Sequence, residues 1–257
     1  KLSGVALEGE AKKRYAEISA RLSQLSSDFS NHVLDATQAY FKPLAEHELA
    51  GLPQSSIELL KQYGQQRELD QPVATLDFPS YLAIMTYAEN RPLREELYRA
   101  YTTRASDQSE HAEFDNTAAM EEILSLRQEM AALLGFNNYA ELSLASKMAP
   151  NVATVDQFLR DLAEHSRAPA LKEVAELKAI AAEDGIEDLK PWDSTYYSEK
   201  LKVQQFNLSQ EALKPYFPAP KILQGLFSIV NRLYGIQIVE REAPVWHSDA
   251  RYFELED

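Results

Sequence analysis

Cysteine is absent from this sequence of 257 residues, which excludes disulfide bridges, thiolate metal ligation and a cysteine nucleophile. Histidine is scarce, and His32, His47, His111, His165 and His247 stand far apart along the chain. The 8 glycines are too dispersed for a G-x-x-x-x-G-K-[ST] or G-x-G-x-x-G phosphate cradle, and no G-x-S-x-G nucleophile elbow occurs. No apolar run approaches the roughly 18 residues that a membrane-spanning helix needs. Basic residues are the minority: 26 Lys and Arg face 40 Asp and Glu, a formal charge of −14. That balance disfavours attraction to nucleic acid or anionic lipid. The opening Lys1-Leu2-Ser3-Gly4-Val5-Ala6-Leu7 turns polar too soon for a secretory signal and has no initiator Met. A chain trimmed at both ends is the expectation.

What is present is helical periodicity. Hydrophobic residues make up 45% and charged residues 26%, ordinary for a soluble globular chain that can bury a sizeable core. Over 10–36, Tyr15, Ile18, Leu22, Leu25 and Phe29 recur in steps of three and four, the seam of a helix on the order of 40 Å long. Ser55 stands three places before Glu58, the capping-box spacing, and opens a second helix to about 67. Polar residues from 65 to 71 followed by Pro72 mark an internal boundary near 65–76, between a helical segment 1–70 and a second part 73–257. Residues 73–77 read as a brief strand. Pro79 and Arg91-Pro92 then open helices, the second with Leu93, Leu97 and Tyr101 on one face. Asp115-Asn116 caps a strong helix that stops at Gly135.

A short helix follows over 139–146. Pro169 is expected to divide or kink the next helical pattern, which carries Val155, Phe158, Leu159 and Leu162, before Asp184-Gly185 ends it. Pro191 starts a helix through Tyr196, Tyr197 and Leu201, and a Pro-rich loop over 215–220 precedes a last helix over 223–233. Residues 236–240 form a strand pattern. Tyr252, Phe253 and Leu255 form another, with no turn or partner strand after them, so a C-terminal strand cut from its sheet is expected. The fold class is mainly α: a multihelical, bundle-like body with a few short strands.

Few residues offer chemistry. His47-Glu48-Leu49-Ala50-Gly51 has half of a zincin motif, but Gly51 stands where the second imidazole is needed. A surface histidine between Glu46 and Glu48 is the ordinary alternative. His247 and Asp249, two apart on an expected strand, would share a face for metal or proton work, and a structural histidine beside Trp246 is the plainer reading. Glu95-Glu96 and Glu121-Glu122 are adjacent on helices and splay apart as solvated faces. The residues assign no catalytic group and no metal ligand within the chain.

Collinear stretches carry more. Asp77-Phe78-Pro79-Ser80-Tyr81, Met85-Thr86-Tyr87, the run from Leu93 through Tyr101 and Arg104-Ala105-Ser106-Asp107 are followed by Leu133-Leu134-Gly135-Phe136, Tyr139-Ala140 and Lys147-Met148-Ala149. Then come Pro191-Trp192-Asp193, Tyr196-Tyr197-Ser198-Glu199-Lys200, Pro215-Tyr216-Phe217-Pro218, Arg232-Leu233-Tyr234-Gly235 and Val245-Trp246-His247. In this order they resemble the thimet oligopeptidase family of zinc metallopeptidases over nearly the whole chain. The resemblance implies a helical body around a deep channel that admits short unfolded peptides, and a zinc held by an H-E-x-x-H helix and a downstream Glu. None of those ligands has a matching position here. It further implies a cytoplasmic parent protein with oligopeptide substrates, for which this chain is channel-wall scaffold and the remainder of the same polypeptide is the partner. Tyr196 and Tyr197 are the candidates for lining the channel, although packing is the commoner use of such residues. From a different class, the chain reads as a complete acidic interaction module that offers the seam over 10–36 to a partner helix.

Overall fold

The computed structural model describes residues 2–257, and these divide into two compact units, one ending at Leu201 and the other Lys202–Asp257. In the first, α1 (Gly9–Ala39) buries Ile18 and Leu25 against Leu126, with Leu22, Ile123, Met130 and Leu133 packed around them. Tyr40 ends α1 in extended conformation. β1 (Phe41–Pro43) then pairs antiparallel with β2 (Val73–Thr75), Phe41 opposite Thr75. A short 3-10 turn, Glu46–Leu49, precedes α2 (Gln54–Gln65).

The expected capping box at Ser55 is not what starts α2. The helix begins at Gln54 after Pro53, with no side-chain cap, because Pro53 already supplies the fixed φ of a helix entry. Its carbonyl accepts from both Ser56 and Ile57 N–H. A carboxylate cap occurs instead at the preceding 3-10 turn, where Glu48 accepts the Ala45 N–H at 2.9 Å.

Gly64, inside α2, is explained by close approach: a Cβ there would collide with the Gln71 backbone oxygen. The chain over 65–71 folds back onto the helix, where the Leu69 N–H reaches the Gly64 carbonyl at 3.0 Å. Leu44, Leu52, Leu60, Ala74, Ile84, Ala88, Leu93 and Leu97 form one buried cluster. It draws on residues before and after 65–76.

α3 (Phe78–Tyr87) and α4 (Arg91–Thr103) follow, the second capped by the Asn90 side chain accepting the Leu93 N–H at 3.0 Å. α5 (Thr117–Leu133) runs against α1. Of the expected Asp115-Asn116 cap, Asp115 supplies the side-chain bonds. Asp115 accepts from both the N–H and the hydroxyl of Thr117, whereas Asn116 is 1% exposed. Asn116 instead bridges to His32 Nδ1 at 2.9 Å and donates to the Phe29 carbonyl, pinning α1 to the start of α5.

α6 (Tyr139–Leu144) is capped by Asn138. α7 (Val152–Glu183) continues as one helix through Pro169 and is not divided there. Residues 156–170 are all exposed, so water can satisfy the carbonyl of His165 that lacks its usual N–H partner. α8 (Pro191–Phe206) buries Tyr197 with Ile180 and Ala181 of α7.

The second unit holds α9 (Gln210–Leu213), a 3-10 turn Lys214–Tyr216, and α10 (Ala219–Tyr234), which ends at Gly235 in left-handed conformation, φ 77°. β3 (Gln237–Arg241) and β4 (Tyr252–Glu256) pair antiparallel, with Gln237 opposite Glu256 and Arg241 opposite Tyr252. The C-terminal strand is therefore paired, contrary to expectation. Its partner precedes it, and the chain returns through the long connection 242–251 in place of a two-residue turn. Phe227 of α10 packs edge-on against Phe253, ring centroids 5.3 Å apart. Among the described residues no helix is long and apolar enough to cross a membrane.

Candidate functional site

α4 and α8 both begin with a proline within their first two positions, and side chains of their first turns meet. Asp193, fully buried on the first turn of α8, accepts the Lys190 N–H at 3.0 Å. Arg91 grips its carboxylate with Nε at 3.0 Å from Oδ1 and Nη2 at 2.7 Å from Oδ2. Arg94, one turn along α4 and 2% exposed, approaches Oδ1 through Nη2 at 2.9 Å. Its remaining donors go to the backbone carbonyls of Trp192 at 3.2 Å and Ala88 at 2.6 Å. Burial works against ionisation of Asp193. The bonds from Arg91, the Lys190 N–H and Arg94 outweigh it, and the carboxyl is held below its ordinary range.

The same guanidinium of Arg94 lies over the Tyr196 ring, 4.2 Å from its centroid. Tyr196 meets Tyr197 edge to face at 5.1 Å. Lys200, one turn along α8, pairs with Asp184 at 2.6 Å and sits 5.6 Å from the Tyr196 centroid. Burial, then the charge of Asp184, pushes the Tyr197 hydroxyl up to about 12. These groups line an open groove of about 390 Å³, with Glu89 on its rim. Arg91, Arg94 and Lys200 are balanced by Asp193, Asp184 and Glu89. The groove offers an aromatic face and charges that are already paired with one another. It brings no nucleophile to a base.

Tyr196 and Tyr197, singled out from the sequence, thus come together in this groove, although Tyr197 is 2% exposed and chiefly packs. The other candidates scatter. His47 lies on the Glu46–Leu49 turn, where Glu48 is engaged by the Ala45 N–H. His247 and Asp249 are not on a strand. They occupy a turn closed by the Ala250 N–H on the His247 carbonyl at 3.0 Å, in which the Asp249 N–H donates to His247 Nδ1 at 3.2 Å. Ser248-Asp249 is turn chemistry, which overrode the strand pattern around it. His111 faces Glu113 at 3.3 Å, and His165 bonds the Asp161 carbonyl of its own helix at 2.6 Å.

Sequence reading missed Arg91, Arg94 and Asp193. Two arginines three apart at a helix start, and an Asp in the first turn of another, were the available signals. Nothing in the sequence says that residues about a hundred positions apart meet. A zinc centre needs three or four converging donors. Among the described residues no three His, Asp or Glu side chains are grouped to hold a metal ion.

Comparison with known proteins adds the relationship. The model of peptidase family M3 matches residues 84–257. Oligopeptidase A of Escherichia coli is 52% identical over 260 residues, an alignment covering 100% of this chain and 38% of the relative. Oligopeptidase A of Salmonella typhimurium is also 52% identical with the same coverage. The probable cytosolic oligopeptidase A of Arabidopsis thaliana is 40% identical over 269 residues, again covering 100% of this chain and 38% of the relative. The chain therefore spans well under half the length of these curated relatives.

Proposed function

Because the chain belongs to peptidase family M3, we propose that it is a segment of a zinc-dependent oligopeptidase that hydrolyses short peptides in the cytoplasm. The observation that carries this reading is the likeness of the whole chain, 52% identical, to a protein named oligopeptidase A. In this reading the chain is scaffold. Its helices form part of the wall around a peptide channel, and the half-buried Tyr196 ring, held from behind by Arg94, is the face a peptide would meet in the groove. The metal, when bound, supplies an activated water, and its ligands belong to parts of the parent polypeptide outside these 257 residues. The stretch 65–76 would separate a helical segment 1–70 from the first part of the peptidase domain, 73–257. The family match begins beyond that stretch, at residue 84, and the two segments share one core.

The rival reading, a complete module that binds a partner helix along 10–36, loses its surface. The seam residues Ile18 and Leu25 are already covered by α5.

The test is hydrolysis of a quenched fluorescent peptide by the parent protein and by the 257-residue chain. Chelator-sensitive turnover by the parent and none by the chain is the expected result. Chelator-sensitive turnover by the chain alone would sink the scaffold assignment, and an inactive, metal-loaded parent would sink the peptidase reading.

A further inference from the structure

α10 carries apolar residues on two faces, and among the described residues only one is used within its own unit. Phe227, with the half-buried Leu223 and Val230 one turn to either side, belongs to the face that meets the β3–β4 hairpin. Ile222, Leu226, Ile229 and Leu233, spaced four, three and four apart, form a second stripe, exposed at 47%, 50%, 57% and 66%. From first to last this stripe runs about 16 Å along the helix. Water-exposed aliphatic side chains at helical spacing are the signature of a helix face that packs on something else. The rest of α10 narrows what that is. In a chain of charge −14, its only charged residues are Lys221 and Arg232, which stand at either end of the stripe.

We propose that this stripe is the docking face for an amphipathic helix from the part of the same polypeptide outside these 257 residues, one presenting an aliphatic seam with acidic flanks toward Lys221 and Arg232. The inference rests on the reading of the chain as a segment of a longer oligopeptidase. The relatives match all of this chain while 62% of their length lies outside the match. That leaves ample polypeptide in the same molecule, at high effective concentration, to cover a face of three helical turns. A second copy of the chain would be the alternative occupant. It would bring its own Lys221 and Arg232 to the interface and offer them no acidic partner from its own α10.

The test uses Leu226→Cys in the cysteine-free 257-residue chain and in the parent protein, with alkylation at residue 226 followed by peptide mass spectrometry. At least tenfold slower alkylation in the native parent than in the isolated chain is expected. Ile229→Glu should lower the melting temperature of the parent while leaving that of the isolated chain unchanged. Equal alkylation rates in the two proteins, or protection of the isolated chain that grows with its concentration, would overturn the proposal, the second outcome by showing a second copy on the stripe. Peptide hydrolysis by the unmodified parent is read separately. Protection without hydrolysis would count against the peptidase reading alone, and hydrolysis without protection against this one alone.

Discussion

Arg94 and Asp193 face each other at 2.9 Å across two helices, and both side chains are almost completely shut off from water. A buried ion pair of this kind contributes little net stability beside a well-packed apolar pair, yet leaving either charge without the other is costly. Arg94 spends its other donors on backbone carbonyls of Ala88 and Trp192, so it also satisfies two groups that no water reaches easily. The pair thus acts as a locating device between α4 and α8.

Removing one side of this pair should be severe. Asp193→Ala or Arg94→Met is expected to destabilise the chain by about 3–5 kcal/mol, measured by urea unfolding followed by circular dichroism. The double variant Arg94→Met/Asp193→Leu should lose less than the sum of the singles, with a coupling of about 1–3 kcal/mol. Strict additivity would show that the two side chains do not depend on one another.

Acid should dissolve the same contact. The Asp193 carboxyl is depressed below its ordinary value because the bonds from Arg91, Lys190 and Arg94 outweigh the opposing effect of burial. On acidification the unfolded chain takes up this proton first, near the ordinary value of about 3.9. The stability from Asp193 is therefore complete above that value and lost as pH falls through the lower folded one. The gap in unfolding free energy between the native chain and Asp193→Asn should be widest near neutral pH and shrink below about pH 4. A gap independent of pH would mean that Asp193 is not ionised in the fold.

Gly64→Ala should go against the usual trend. A mid-helix glycine replaced by alanine ordinarily gains roughly 0.5–1 kcal/mol. Here the added methyl meets the Gln71 backbone oxygen, and a loss of about 1–3 kcal/mol is expected. Stabilisation on thermal unfolding would show that the 65–71 loop does not rest on α2.

Much of the helical framework was legible because proline fixes helix entries and glycine fixes exits. Pro79, Pro92 and Pro191 each stand in the first turns of observed helices, and Gly135 and Gly235 lie just past the ends of two others. Errors arose where a local rule met a tertiary circumstance. Ser55 has capping-box spacing, but Pro53 had already set the entry. Of the two outcomes open at Pro169, division did not occur: α7 runs through it with its exposed backbone open to water. Scanning for a two-residue turn hid the pairing of β4 with β3 across a long connection. The groove was half legible: Tyr196 and Tyr197 were visible on one helix, whereas the arginines that organise it come from α4, and no periodicity encodes a meeting between distant segments.

The contact between α1 and α5 has one more property. Arg14 holds Glu129 at 2.6 Å and Arg21 holds Glu122 at 2.6 Å, two clamps seven residues apart on antiparallel helices. Sliding α5 by one turn would set both arginines against uncharged residues, Ser125 and Ala118 in one direction, Leu133 and Leu126 in the other. Neither one-turn shift keeps even one clamp closed. Exposed charges that add little to the depth of the native well thus act as a vernier, raising the neighbouring wells so that the two helices lock at a single tooth.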